Sequence, residues 1–327
     1  MGFVPDNIYV HLGIVVACFV LLAKSADILV EGAVGIAYGL RIPKIIVGIV
    51  LVGFMTTAPE FTVSVISAIQ GQPEIALGNA VGSVIVDDAL ALALGILVAP
   101  TAIAVDSRVL RSTGLFLVGI DILAFGLSFN GSVDRWEGIV LLVVLAGYLA
   151  TVVIYEGRHR RANRAEGEAD EYYEPASVGR QVGRFILGIA GVLVASEFLV
   201  NSAQFIAHFF GVTPAVIGLT LVAIGTSIPE IATCIVAARK GHGDLAFGDI
   251  LGADILNILW IVGASATVNP LNVGTKVIFF SFPVMIVIVL TMLIFARMGY
   301  RFERWKGVVL VLMYLGYLTL TVILFYS

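Results

Sequence analysis

Ten stretches of about twenty residues, each nearly free of charge, restrict this chain more than any other feature. They lie at 10–37, 43–69, 74–98, 109–129, 137–155, 183–208, 213–237, 245–267, 275–296 and 306–326. A hydrocarbon core offers backbone groups no water, so a spanning chain must be helical or close into a barrel. Barrel strands alternate apolar and polar residues, whereas these runs are continuous, and each is predicted to be a transmembrane helix. Composition agrees: 59% of residues are hydrophobic, mean hydropathy is +1.04, and 13% are charged. Soluble domains carry about 25% charged residues. A soluble enzyme, a disordered chain and a nucleic-acid binder with a basic patch are excluded.

The basic residues give an orientation. Loops after the odd-numbered helices hold Arg41, Lys44, Arg108, Arg111, Arg158, Arg160, Arg161, Arg164, Arg180, Arg184, Arg239, Lys240, Arg297, Arg301, Arg304 and Lys306; loops after the even ones hold Arg135 and Lys276. Positive residues mark the cytoplasmic side, so a multi-pass cell-membrane protein with both termini extracytoplasmic is predicted. No Lys or Arg precedes Lys24, so the first run reads as a permanent span and not a signal peptide. Residues 156–184 hold 12 of the 42 charges and no long apolar run. The division is therefore 1–156, a first five-helix unit; 157–182, a charged cytoplasmic linker; and 183–327, a second five-helix unit. Cys18 and Cys234 sit singly inside apolar runs and read as small buried residues.

Displacing the chain by 170 residues aligns 42–87 with 212–257, and 12 of 46 positions match. The matches include Thr56/Thr226, Pro59/Pro229, Glu60/Glu230, Gly78/Gly248 and Gly82/Gly252. Because each unit has an odd number of helices, the second must be inverted. Inverted repeats with interrupted helices and a site near the bilayer midplane characterise secondary transporters. The fold class is thus all-α integral membrane, ten helices as two inverted five-helix repeats.

Glu60 and Glu230 fall well inside helices 2 and 7. A carboxylate at a helix centre costs about 2.5–3.5 kcal/mol on insertion scales. Neither segment offers a Lys or Arg at that depth, so a mobile cation is the natural partner. Pro59 and Pro229 deprive the carbonyls of Met55 and Gly225 of their donors. Thr56, Thr57 and Ser64 lie near Glu60, and Thr226, Ser227 and Thr233 near Glu230. Helix 3 adds a polar stripe, Asn79, Ser83 and Asp87; the matching positions of helix 8 are Asp249, Ala253 and Asn257, with Asp254 one turn before Asn257. The Gly-x-x-x-Gly pairs are predicted to press helix 3 on helix 2 and helix 8 on helix 7. All these donors are oxygens, which suit hard cations such as Ca²⁺, Mg²⁺ or Na⁺. Lys24, Asp27 and Glu31 read as a local ion pair on helix 1, with Asp27 aligned to Glu197. Asp88 and Asp121 receive no role.

These motifs resemble the repeats of the cation/calcium exchanger superfamily, whose pattern is close to Gly-Thr-Ser-x-Pro-Glu and Gly-Asn-x-x-Gly-Ser-Asn-x-x-(Asn or Asp). The second repeat reads Gly225-Thr226-Ser227-Ile228-Pro229-Glu230 and Gly248-Asp249-Ile250-Leu251-Gly252-Ala253-Asp254-Ile255-Leu256-Asn257; the first reads Met55-Thr56-Thr57-Ala58-Pro59-Glu60 and Gly78-Asn79-Ala80-Val81-Gly82-Ser83-Val84-Ile85-Val86-Asp87. The resemblance implies a sodium/calcium exchanger-like antiporter that trades Ca²⁺ for Na⁺ by alternating access. It implies that Glu60 and Glu230 bind the divalent ion with Thr56 and Thr226. Thr57, Ser83, Asp87, Ser227 and Asn257 then help form flanking monovalent-ion sites, with Asp254 counted among the metal-site residues. Helices 1 and 6 slide across the other eight. Met55, Ala253, Val84, Asp254 and Asp249 depart from the pattern: the hydroxyl missing at Ala253 argues for fewer Na⁺ sites, and the added acids favour protons or a smaller divalent ion.

A Ca²⁺/H⁺ or Mg²⁺-selective exchanger of the same family is the alternative. An intramembrane aspartyl protease using Asp87 or Asp88 with Asp249 or Asp254 leaves the duplicated Pro-Glu motif unexplained, and a passive channel needs no inverted repeat. The expected partners are inorganic cations and lipid, with no cofactor beyond the transported Ca²⁺ and Na⁺ (or H⁺), no nucleic acid and no enzymatic activity. The sequence sets no oligomeric state; a monomer is the expectation.

Overall fold

The computed structural model describes residues 7–40, 42–71, 73–166, 178–209 and 223–326. The first unit holds α1 (Ile8–Leu40), α2 (Lys44–Thr56), α3 (Ala58–Ile69), α4 (73–98), α5 (Ser107–Ser128) and α6 (Arg135–Glu166). The second holds α7 (Val178–Phe209), α8 (Ala223–Thr226), α9 (Ile228–Arg239), α10 (Gly243–Val268), α11 (Val277–Arg297) and α12 (Arg304–Tyr326). Eight of these are long and apolar enough to cross a membrane, and α2 with α3 counts as a ninth span bent by 45°. The predicted helix at 213–237 lies partly outside the described residues; α8 and α9 are its described part. Helices α6 and α7 run on into both ends of the predicted linker 157–182, and 167–177 lie outside the described residues.

The same backbone events recur 170 residues apart. Thr57 (φ −74°, ψ 1°) interrupts α2–α3 and Ser227 (φ −84°, ψ 9°) interrupts α8–α9, each two residues before the motif proline. Proline suits the first turn of the new half-helix, where its missing N–H has no helical partner anyway. Both half-helices end on a glycine in the left-handed region, Gly71 (φ 76°) and Gly241 (φ 80°); an L side chain is strained there.

Helices α4 and α10 form the centre. Their most apolar windows are 78% and 94% buried, against 17% for α6 and 22% for α12, whose apolar faces are left for lipid. A Cβ on Gly248 or Gly252 would lie 2.3 Å from the carbonyl oxygens of Ile45 and Ile49. These glycines therefore press α10 onto α2 of the other unit, not onto α9 as predicted, although α9 also packs against α10. Helices α1 and α7 lie along one another, with Gly32 against the Phe185 backbone and Gly188 against that of Leu29.

Among the described residues four two-residue strands, β1 (Ile103–Ala104), β2 (Ser132–Val133), β3 (Leu271–Asn272) and β4 (Arg301–Phe302), pair antiparallel as β1 with β4 and β2 with β3. Each pair joins a loop of one unit to a loop of the other, one pair on each predicted side of the membrane. The charges on α1 do not pair as predicted: Asp27 and Glu31 reach Lys240 at the end of α9, at 3.3 and 3.0 Å. Spacing along one helix could not reveal a partner more than 200 residues away.

Candidate functional site

The two breaks place Glu60 and Glu230 in the first turns of α3 and α9. There the unpaired N–H groups and the helix dipole favour negative charge. Both carboxyls are shut off from solvent, at 1% and 0% exposure. Glu60, Asp87 and Asp249 lie close enough to Glu230 for like-charge repulsion, so acids from four helical segments share one interior. Among the described residues no ion pair reaches any of the four.

Hydroxyl and amide groups tie the two units together around these acids. Ser227 Oγ donates to Glu60 Oε1 (3.3 Å), Thr226 Oγ1 to Asn79 Oδ1 (3.2 Å), and Thr56 Oγ1 to Asp249 Oδ1 (3.3 Å). Asn257 Nδ2 donates to Asp87 Oδ2 (3.3 Å), between positions 170 apart in sequence and equivalent in the repeat. Asn79 Nδ2 faces the Glu60 carbonyl oxygen (3.3 Å) and Ser64 Oγ (3.0 Å). Thr57 turns its hydroxyl back onto the Gly53 carbonyl.

Among the described residues several buried oxygens meet no hydrogen-bond donor: Glu60 Oε2, both carboxyl oxygens of Glu230, Asp87 Oδ1, Asn257 Oδ1 and Ser83 Oγ. Buried polar atoms are nearly always hydrogen-bonded, and a set made wholly of oxygens, with carboxylates among them, has the chemistry of a hard-cation site. Among the described residues no three His, Cys, Asp or Glu side chains converge closely enough to cage a metal by themselves. The donor set is mixed, with carboxylates from two half-helices and hydroxyl and amide oxygens between them.

The structure thus brings together Glu60, Glu230, Asp87, Asn257, Ser227, Thr226 and Thr56, with Thr57 and Ser83 buried on the same helices. Asp254 faces Asp88, with Asp87 of the site and Asp121 of α5 also within electrostatic reach. Asp88 and Asp121, to which the sequence assigns no role, carry a single signal in it, an acid inside an apolar run. Asp249 and Thr233, 2.7 Å apart, were undervalued as well. The signal was the change from Asn79 to Asp249 accompanied by the change from Val63 to Thr233.

Helices α4 and α10 each contain a π-helical stretch beside the site, Asp87–Leu92 and Asn257–Val262. Such stretches often accompany functional sites because they re-aim side chains. Outside the spans, burial and the Lys44 ammonium 3.2 Å away hold the His242 ring below its usual pKa. This contact ties the loop before α10 to the start of α2.

Comparison with known proteins agrees with this geometry. A family model described as sodium/calcium exchanger protein matches residues 10–154 and 180–323. The chain is 30% identical to the sodium/calcium exchanger MaX1 of Methanosarcina acetivorans, over 98% of this chain and 99% of that protein. It is 33% identical to the putative antiporter CaxA of Alkalimonas amylolytica, over 95% and 97%. Among solved structures, the sodium-calcium exchanger NCX_Mj soaked with Na⁺ and Sr²⁺ superposes with a TM-score of 0.81 at 26% identity, covering 94% of this chain and 97% of that one.

Proposed function

The chain belongs to the sodium/calcium exchanger protein family and is a membrane antiporter that exchanges Na⁺ and Ca²⁺ by alternating access; we propose that Glu60 and Glu230 jointly hold the divalent ion. The observation that carries this reading is the pair of buried carboxyls in the first turns of two half-helices, with three of their four oxygens unpartnered among the described residues. Thr56 and Thr226, each anchored across the unit boundary, turn oxygen lone pairs toward the same space. Thr57, Ser227, Ser83, Asp87 and Asn257 flank it and supply the oxygens for Na⁺. Both ions draw on the same carboxylates, so their binding is mutually exclusive, and an empty site leaves like charges facing one another.

The sliding element is the α1–α7 pair, whose glycine contacts make one unit of two helices. The duplicated units are 1–156 and 183–327, inverted, with both termini outside and Na⁺ as the counter-ion; a monomer suffices because every proposed ligand comes from one chain. In proteoliposomes loaded with Na⁺, Glu60→Gln and Glu230→Gln are each expected to abolish ⁴⁵Ca uptake. Near-normal exchange in either variant would refute the assignment. Imposed Na⁺ and pH gradients, applied separately, test whether protons serve as well: Ca²⁺ flux driven by pH alone would add H⁺ to Na⁺ as a counter-ion.

A further inference from the structure

We infer that Asp249 is a specificity-determining residue of this exchanger: its carboxylate, held beside the ion site by Thr233 and Thr56, sets the preference for the divalent over the monovalent ion. The inference rests on the reading of Glu60 and Glu230 as the divalent ligands.

The comparison is internal. Asp249 occupies the position that Asn79 occupies in the first unit. Asn79 uses its amide nitrogen as a donor toward the Glu60 carbonyl and Ser64 Oγ. A carboxylate has no such donor, and the surroundings of Asp249 are rewritten to match. The position of Ser64 becomes Cys234, and that of Val63 becomes Thr233. Thr233 Oγ1 then lies 2.7 Å from Asp249 Oδ2, and Thr56 Oγ1 lies 3.3 Å from Oδ1. Thr233 has Asp249 Oδ2 as its nearest acceptor, whereas the single proton of Thr56 is shared among Asp249 Oδ1 and the carbonyls of Val52 (3.1 Å) and Gly53 (3.3 Å). Thr56 has one hydroxyl proton, and whichever of these acceptors takes it, the oxygen's lone pairs remain for an ion.

Asp249 is 1% exposed, and Glu230 and Asp87 both feel its charge. It adds a further acid to the interior that Glu60, Glu230 and Asp87 share, without taking a ligand position. Coulomb energy scales with the product of charges, so an ionised Asp249 acts on Ca²⁺ with twice the energy it exerts on Na⁺ at the same point. Removing it weakens Ca²⁺ by the square of the factor by which it weakens Na⁺.

Asp249→Asn isolates the charge, because its amide oxygen can still accept from Thr56. On the purified full chain, ⁴⁵Ca binding and its displacement by Na⁺ are expected to give about a tenfold weaker Ca²⁺ and about a threefold weaker Na⁺. Asn79→Asp, which adds the charge at the equivalent place, is expected to move the Ca²⁺/Na⁺ ratio the other way. Equal losses for both ions, no change in either, or a shift in the same direction from both variants would overturn the inference. Glu60→Gln in parallel separates the two readings: if it still binds Ca²⁺ normally, the ligand assignment fails; if it loses Ca²⁺ while Asp249→Asn keeps the wild-type ratio, only the role of Asp249 fails.

Discussion

The two units share their backbone breaks, prolines and glutamates, yet they distribute acids and amides in opposite order. The first unit has Asn79 and, eight residues later, Asp87; the second has Asp249 and Asn257. The reversal has a geometric reason. Positions 87 and 257 meet at the boundary between the units, where Asn257 donates to Asp87. An acid at both would place two buried carboxylates within hydrogen-bonding distance, and an amide at both would remove a charge from the chamber. One of each keeps the charge and satisfies an oxygen. An inverted repeat therefore does not need matching residues at its axis; it needs complementary ones.

The largest effect is expected from breaking that complementarity. Asn257→Asp sets like charges against each other, and an uncompensated buried charge costs about 3–5 kcal/mol. Ca²⁺ uptake should fall at least about tenfold, since about 1.4 kcal/mol suffices for a factor of ten. The double variant Asp87→Asn/Asn257→Asp restores one acid and one amide with their order exchanged, and should recover folding and part of the uptake. A strong positive coupling in the double-mutant cycle is the expected signature. If the double variant is as impaired as the single one, the unit that carries the acid matters, and the order is itself functional.

Much of this was legible in the sequence, for physical reasons that differ from residue to residue. Glu60 and Glu230 stand out because a carboxylate in an apolar run is costly and a matched pair of them is hard to explain structurally. Pro59 and Pro229 mark the breaks because proline acts locally. Contacts that cross between units were not legible. Thr56 meets Asp249 and Asn79 meets Thr226 only after the second unit is inverted onto the first, and periodicity within one helix carries no trace of that docking. The close-packing glycines show the same limit: Gly-x-x-x-Gly announces a near approach, but not that Gly248 and Gly252 meet Ile45 and Ile49 of the other unit. Asp254 belongs in sequence to the ion motif and in space meets Asp88, Asp87 and Asp121, neighbours that spacing along one helix does not reveal.

An intermediate effect is expected where the units touch. In Gly252→Ala the new Cβ meets the Ile49 backbone oxygen, which cannot turn away as a side chain could. Overpacking of this kind costs about 1–3 kcal/mol, so a lower melting temperature in detergent is expected. Gly316→Ala on α12, where a Cβ meets nothing within 4 Å among the described residues, should leave the melt unchanged. Equal behaviour of the two variants would mean that the boundary yields to small insertions.

The smallest effect belongs to the rim, where the units differ in charge. Lys240 reaches Asp27 and Glu31 on α1. The equivalent positions of the repeat are Gln70, Glu197 and Asn201, and there Asn201 Nδ2 donates to Glu197 Oε1 at 2.7 Å within α7. Lys240→Gln makes the units alike at this point. The acids it pairs with are about half exposed, at 53% and 54%, and an exposed pair contributes only about 0.2–1 kcal/mol. A small fall in melting temperature is therefore expected, and the gap between wild type and variant should close as salt screens the charges. A gap that persists in high salt would show that Lys240 holds α1 against α9 by packing of its methylene chain, and the difference between the two rims would then be steric instead of electrostatic.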